Sequence, residues 1–266
     1  MDTETTQPVI SRLFPSTFSS WSRVIAVAAA CSLGSSAQAE LLDVYVGAGT
    51  WQQEFEGDVD SGATDVDVQN DLGLDDDDNI VAYVALEHGV PVLPNIRAQH
   101  FSIDVEGSNV LSRNITFNGQ TFTLSDAVDT SIDLSQSDLV LYYEMLDSVV
   151  GLDVGLALSW IEGAIDVRSS TDIARAEFDE YLPMVYAKAR VDLPMTGAWV
   201  AVEGQGLAYE DNSIIEYNAQ VGWTSQFGLG LEAGWRSVEI ELQEFDDVDT
   251  AVLEISGPYA AVNFEF

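Results

Sequence analysis

From residue 40 onward the chain alternates. In 215–224 (IEYNAQVGWT), Ile215, Tyr217, Ala219, Val221 and Trp223 fall on one side, and Glu216, Asn218, Gln220, Gly222 and Thr224 on the other. In 152–160, Leu152, Val154, Leu156, Leu158 and Trp160 oppose Asp153, Gly155, Ala157 and Ser159; 229–236 repeats the pattern. A period of two marks strands with one apolar and one polar face, and no stretch after residue 40 shows a convincing helical period. The alternation predicts ten strands, at 41–56, 79–88, 95–106, 129–146, 151–167, 179–192, 198–210, 213–226, 229–244 and 249–266. Several exceed the roughly 5–6 residues usual in soluble sheets, and most exceed the roughly 9–11 that cross a bilayer. Faces are hardest to assign in 95–106, and Pro183 predicts a start or bulge within 179–192.

The connections sort into two classes. Those at 88–95, 147–151, 193–197 and 225–228 are short and carry one acid, Asp147. Those at 57–78, 106–128, 168–178, 210–212 and 245–247 include the long ones and much of the acid, with Asp75, Asp76, Asp77 and Asp78 in one run. An even strand number, short turns at one rim and longer polar loops at the other predict an all-β fold: a transmembrane antiparallel up-and-down β-barrel. Asn118-Gly119 predicts a two-residue hairpin turn, so the second long loop is expected to project as a ribbon. Trp199, Trp223 and Phe264 near one rim, and Trp51, Trp160, Trp235 and Tyr209 nearer the other, are expected to form two interfacial girdles.

The first 39 residues read as an address. A polar start with Arg12 and Arg23 precedes an apolar run, 24–33 (VIAVAAACSL), and small residues ending in Ala37-Gln38-Ala39. That is the pattern of a secretory signal peptide, with cleavage expected after Ala39 and a barrel domain over 40–266. Cys31, the single cysteine, offers a rival lipoprotein site, although Ala28 stands where a large aliphatic residue is usual. The chain has 9 Lys and Arg against 45 Asp and Glu, a net charge of −36. The leader's Asp2, Glu4, Arg12 and Arg23 cancel, so that charge belongs to 40–266. A polyanion of this kind would repel nucleic acid.

The chain ends Tyr259-Ala260-Ala261-Val262-Asn263-Phe264-Glu265-Phe266, with Ala260, Val262, Phe264 and Phe266 on one face. This resembles the C-terminal assembly signal of Gram-negative outer-membrane β-barrels. The segments 84–95 (VALEHGVPVLPN), 138–147 (DLVLYYEMLD), 182–186 (LPMVY), 232–236 (EAGWR) and 257–266 resemble a family of single-domain outer-membrane barrels of unassigned role. The resemblance implies location in the cell outer membrane, with lipid, lipopolysaccharide and the barrel assembly machinery as partners. It implies no chemistry.

Candidate chemistry is sparse. The only histidines are His88 and His100. His100, Ser102 and Asp104 share a strand face, but such residues stand in parallel roughly 7 Å apart rather than converging as a triad must. No G-x-S-x-G elbow occurs, and no enzyme is expected. Asp75–Asp78 supplies hard oxygens suited to loosely held Ca²⁺ or Mg²⁺ without an EF-hand pattern; no other cofactor is expected. Alternation turns Glu87, Glu144, Asp153, Lys188, Arg190, Glu203, Glu216, Glu232 and Arg236 inward. They form either a neutralising network in a packed interior or the lining of a narrow, cation-preferring passage. Small barrels usually fill their interiors, which favours the network. The expectation is an integral outer-membrane barrel, non-enzymatic, with acidic loops in the medium and a structural or surface role. A small cation-selective pore and a soluble periplasmic barrel binding an apolar ligand are the alternatives.

Overall fold

The computed structural model describes residues 42–60, 65–90, 92–245 and 248–266. Ten long strands form the wall: β1 (Leu42–Asp60), β3 (Asp77–His88), β4 (Asn95–Val110), β7 (Ala127–Leu146), β8 (Val150–Arg168), β9 (Ile173–Asp192), β10 (Ala198–Tyr209), β11 (Asn212–Thr224), β12 (Leu229–Phe245) and β13 (Val248–Glu265). Three short strands, β2 (Asp65–Asp67), β5 (Ile115–Phe117) and β6 (Gln120–Phe122), belong to the long connections. Each wall strand pairs antiparallel with its neighbour, and β13 returns to β1 from Tyr45–Glu265 to Asp60–Thr250, which closes the barrel. Closure leaves no edge at this level of the wall. Ala37, Ala39 and Cys31 lie outside the described residues.

The two faces of a strand exchange character along its length. On β7 the outward side runs Asp129, Ser131, Asp133, Ser135 and Ser137, then Leu139, Leu141, Tyr143 and Met145. The inward side runs Val128, Thr130, Ile132 and Leu134, then Gln136, Asp138, Val140 and Tyr142. Toward the short turns the wall is apolar outside and mainly polar within; toward the long loops it is polar outside and apolar within. β9 does the same, with Tyr181, Pro183, Val185, Ala187 and Ala189 outward in one half and Arg175, Glu177 and Asp179 in the other. On β8 the apolar outer band covers nine residues, Leu152 to Trp160. At about 3.3 Å per residue and a tilt near 40°, that is a belt of about 20–25 Å.

This exchange corrects the expected loop at 168–178. β8 and β9 remain paired as far as Arg168–Ile173, so the connection is only 169–172. The polar residues that read as loop are the water-facing side of the strands, while Ile165, Val167, Ala174 and Ala176 enter the interior. The expected ribbon also differs. Asn118 and Gly119 have positive φ and turn β5 into β6, but the hairpin does not project. Its Ile115, Phe117 and Phe122 are buried in the barrel's apolar half, and the Asn118 side chain donates to the Arg175 carbonyl at 2.6 Å.

The same apolar half receives Val66, Val68, Leu72 and Leu74 from the first long connection. That segment replaces missing wall. The β3–β4 ladder ends at Val81–Phe101, and the Gln53 and Asn79 side chains donate to the carbonyls of Ser102 and Asp104 at 2.9 and 3.2 Å. Farther up, Leu74 bridges to Gly107. A second interruption follows Pro183: β9 pairs with β10 only from Trp199–Asp192 to Gly206–Val185. Two residues beyond that last pair, Pro183 has no N–H to offer.

Glycines decide how the inward aromatics lie. Tyr83 stands directly opposite Gly47, Trp199 opposite Gly222, Tyr142 opposite Gly155 and Tyr259 opposite Gly234. A Cβ at Gly222 would meet the Trp199 ring at 2.2 Å, and one at Gly47 the Tyr83 ring at 2.4 Å. The missing side chain lets the Tyr83, Trp199 and Tyr259 rings lie against the wall, an arrangement known to rescue strand glycines. The inward turn of Trp199 and of Trp51, which is fully buried, corrects their assignment to the girdles. Trp223, Phe264, Trp235, Trp160 and Tyr209 do face outward or stand exposed, and Trp160 stacks on Tyr181 at 5.7 Å. Gly222→Val should displace the Trp199 ring and cost about 1–3 kcal/mol by overpacking, read as a lowered urea midpoint and a shifted tryptophan emission.

Candidate interior site

All nine charged residues expected inside do line the interior, at the short-turn half of the barrel. Glu203 faces Lys188 on β9 and Asn218 on β11; Glu216, Glu232 and Arg236 continue the layer on β11 and β12; Glu87, Glu144, Asp153 and Arg190 lie nearer the short turns. Sequence alternation missed the cation that organises them. Arg97 on β4 reaches across the barrel to Glu203 with two parallel bonds of 2.9 and 3.1 Å, and both side chains are almost buried. Its guanidinium also lies over the Tyr83 ring at 4.6 Å. β4 was unreadable because its faces exchange in mid-strand: Arg97 and Gln99 precede Phe101, Ile103 and Val105 on the inner side.

A second ion pair joins the polar and apolar halves. Arg236 donates to Glu216 at 3.2 Å, and the Gln136 amide reaches the same carboxylate. The other side of the Arg236 guanidinium is covered by Phe101 and Trp51, at 4.2 and 5.2 Å to the ring centroids. Those two rings meet edge to face at 5.7 Å and are fully buried. Beyond them lies an apolar core to which both long connections contribute.

Below the Arg97–Glu203 layer the interior is open. A cavity of about 250 Å³ extends toward the short turns. Its wall carries Tyr45, Tyr83, Tyr142 and Tyr259, whose hydroxyls reach Glu265, Glu232, Glu87 and Gln220 respectively. Arg190 pairs with Asp192 at 2.8 Å and covers the Trp199 ring at 4.4 Å. Lys188 has no ion pair within 4 Å among the described residues.

The remaining candidates do not assemble. His100 faces outward, its Nδ1 2.9 Å from the Ser137 hydroxyl of β7, while the Ser102 hydroxyl donates to Asn79 at 3.4 Å. His88 sits at the short-turn rim, where its backbone N–H donates to the Asn95 side chain. Asp75–Asp78 forms no coordination shell: all four are exposed, and Asp77 and Asp78 already belong to β3, where successive side chains take opposite faces. Among the described residues no group of three or more acid, histidine or cysteine side chains could hold a metal ion. The organised acids of the long connections are instead Asp67 and Asp71. Asp67 accepts from the backbone of Gln69 and Asn70, and Asp71 is paired with Arg113, which ties this turn to the second connection.

No family model matches the chain, and no curated protein matches it. Among solved structures it is similar to the outer-membrane protease OmpT from Escherichia coli, at 10% identity over 85% of this chain and 96% of that one, with a TM-score of 0.47. It is also similar to the translocator domain of the autotransporter NalP from Neisseria meningitidis, at 10% identity over 84% and 88%, with a TM-score of 0.46. A third, a FadL homologue from Pseudomonas aeruginosa, gives 8% identity over 85% and 90% and a TM-score of 0.38. Likenesses at this level transfer no residue role and no activity.

Arg97→Met should cost about 3–5 kcal/mol, because it strands the Glu203 charge, whereas adding Glu203→Gln should recover most of that loss; a double-mutant cycle of urea unfolding measures both. In the first long connection, the Asn70 backbone N–H and side-chain amide, then the Gln69 N–H, hold the Asp67 carboxyl below its usual range. A lowered folded-state value means stability that is present above the ordinary carboxylate range and lost as pH falls through the lowered value. Hydrogen exchange of Gln69–Asn70 should therefore accelerate in acid, and Asp67→Asn should abolish that dependence.

Proposed function

We propose that this protein is an integral outer-membrane β-barrel, inserted with its short turns toward the periplasm, that neither conducts nor catalyses. Its proposed role is structural, as a sealed surface dome on a membrane anchor. The observation that carries the reading is the outer apolar belt. Leu156, Val185, Val221, Leu231 and Val262 are all more than half exposed, on five different strands, and they fall on the stretch where the interior is polar. A soluble barrel would not leave so continuous an apolar surface in water. Outward aromatics lie at the belt's ends, with Trp160 and Tyr181 toward the long connections and Trp223 and Phe264 toward the short turns, where interfacial aromatics are expected.

The closed interior favours a silent barrel over a cation-selective passage. An ion would have to pass the Arg97–Glu203 pair, the Arg236–Glu216 pair and then the Trp51–Phe101 core. Above the belt the walls present carboxylates to the medium, where divalent ions would bridge them to lipopolysaccharide phosphates. Ala260, Val262 and Phe264 share the outward face of β13 and suit recognition by assembly machinery together with Phe266.

The test is direct. The refolded chain should run faster on unheated than on heated SDS gels, fractionate with the outer membrane, and pass no steady current in a planar bilayer. Removing the connection residues 65–74 should leave the belt intact. Sustained cation-selective current through the intact chain would overturn the silent-barrel reading.

A further inference from the structure

Each short turn of the barrel carries an apolar residue at its tip. We propose that this rim is a lipid-binding surface in its own right, whose turn tips insert into the phospholipid headgroup layer instead of standing in water.

Val92 and Leu93 lie in the turn between β3 and β4, Val149 between β7 and β8, Met195 between β9 and β10, and Phe227 between β11 and β12. All five are more than half exposed. Tightness of the turns is not the reason. Comparably tight turns at the opposite rim carry Ser169 to Asp172 between β8 and β9, and Glu210 and Asp211 between β10 and β11. Nor does the backbone call for apolar residues. Val92 and Met195 have φ of 82° and 65°, in the left-handed region that glycine and asparagine enter most easily. A β-branched residue is an outlier there. Strained and exposed, such a side chain is offset only by burial against something outside the chain.

Two hydrogen bonds show which way the turns lean. The hydroxyl of Tyr143, outward on β7, donates to the Val92 carbonyl at 2.9 Å. Trp223, outward on β11, donates from Nε1 to the Thr196 carbonyl, next to Met195, at 3.1 Å. Both turns are thus tied to aromatics on the lipid side of the wall. The apolar belt also runs on to the rim. Its last outward residues are Met145 on β7, Val191 on β9 and Phe266 at the chain end, whose ring lies 4.6 Å from that of Phe264. Asp147, the one acid of the short turns, lines the interior cavity instead. Depth agrees. The β11–β12 turn closes with the Ser225 N–H on the Leu229 carbonyl, directly after the Thr224–Gly230 pair. Phe227 is two residues past Ser225, which at about 3.3 Å per residue and a tilt near 40° is about 5 Å farther from the belt. A headgroup layer is about 5–8 Å deep on each side of the hydrocarbon core.

The inference rests on the membrane-anchored reading above, and its test separates the two. The full chain carrying Cys31→Ser has no cysteine, so a nitroxide can be attached at one introduced cysteine at a time. Val92→Cys and Phe227→Cys probe the rim, Leu156→Cys the belt, and Asp211→Cys the opposite rim. Each variant is refolded into phosphatidylcholine vesicles, with the heat-modifiable gel shift reporting that it folds. Collision of the label with oxygen, which concentrates in lipid, is compared with collision with a water-soluble nickel complex. The oxygen-to-nickel ratio at positions 92 and 227 should exceed that at 211 severalfold and stay below that at 156. Ratios at both rim positions equal to that at 211, with lipid contact at 156, would overturn the proposal and leave the rim to a soluble partner. An aqueous ratio at 156 as well would overturn the membrane anchor itself, and this inference with it.

Discussion

Everything in this structure depends on where a strand's apolar face points, and that face changes sides within single strands. Below the exchange, hydrocarbon-like surface is outside and polar groups are within. Above it, the interior must be apolar, because the outer side is polar and the walls have no other way to bury surface. A wall of this kind cannot simply end at the upper boundary of the belt. Its inner apolar residues would face an open, water-filled mouth. The two long connections resolve this by folding inward, bringing Val66, Leu72, Leu74, Ile115 and Phe122 into the space that Val105, Val128, Val167 and Ile255 leave open. The acidic segments are therefore structural lids whose polar residues ride on a buried apolar set.

The junction between the two halves needs a residue that is content with both. Arg236 fills that position through its shape: a planar cation can donate to a carboxylate along its edge and stack aromatic rings on its face. Glu216 supplies the first, and Phe101 and Trp51 the second. Lysine would satisfy only the charge. The facing glycines play a matching role lower down. By letting Tyr83, Trp199 and Tyr259 lie along the wall, they line the interior with rings while keeping the cavity open.

Much of the wall was legible in the sequence because outward alternation is a local signal. Strand boundaries from β1 to β13 could be placed within a few residues wherever the apolar belt runs. The errors share one cause. A strand whose faces exchange looks, over its polar-outside half, like an acidic loop, which is why 168–178 read as a connection and β4 could not be assigned. The interior residues found by alternation were those on strands whose belt is long. Arg97 sits two residues into β4, and nothing local marks its partner Glu203 far along the chain. Trp51 and Trp199 differ from expectation for a similar reason: position along a strand is readable, but which face of the wall each ring takes is not, and only Trp199 has a glycine, Gly222, opposite it.

The cations show how the acidity is managed. After residue 40 the chain has seven, Arg97, Arg113, Arg168, Arg175, Lys188, Arg190 and Arg236. Four are inside the barrel, where an uncompensated carboxylate would be costly. The other three pin the upper rim, with Arg113 on Asp71, Arg168 on Asp166, and Arg175 on Asp166 and Glu177. Across the upper outer wall, meanwhile, like charges stand directly opposite one another: Asp104 faces Asp133, and Glu254 faces both Glu56 and Glu239. Such pairs are destabilising in a sheet. Their placement on the water side makes the cost small, because solvent and its ions screen what the protein's own cations do not. Within the charge of −36, Arg97 and Arg236 thus pair the deeply buried Glu203 and Glu216, and the facing like charges stand on the outer wall, where water and its ions screen them.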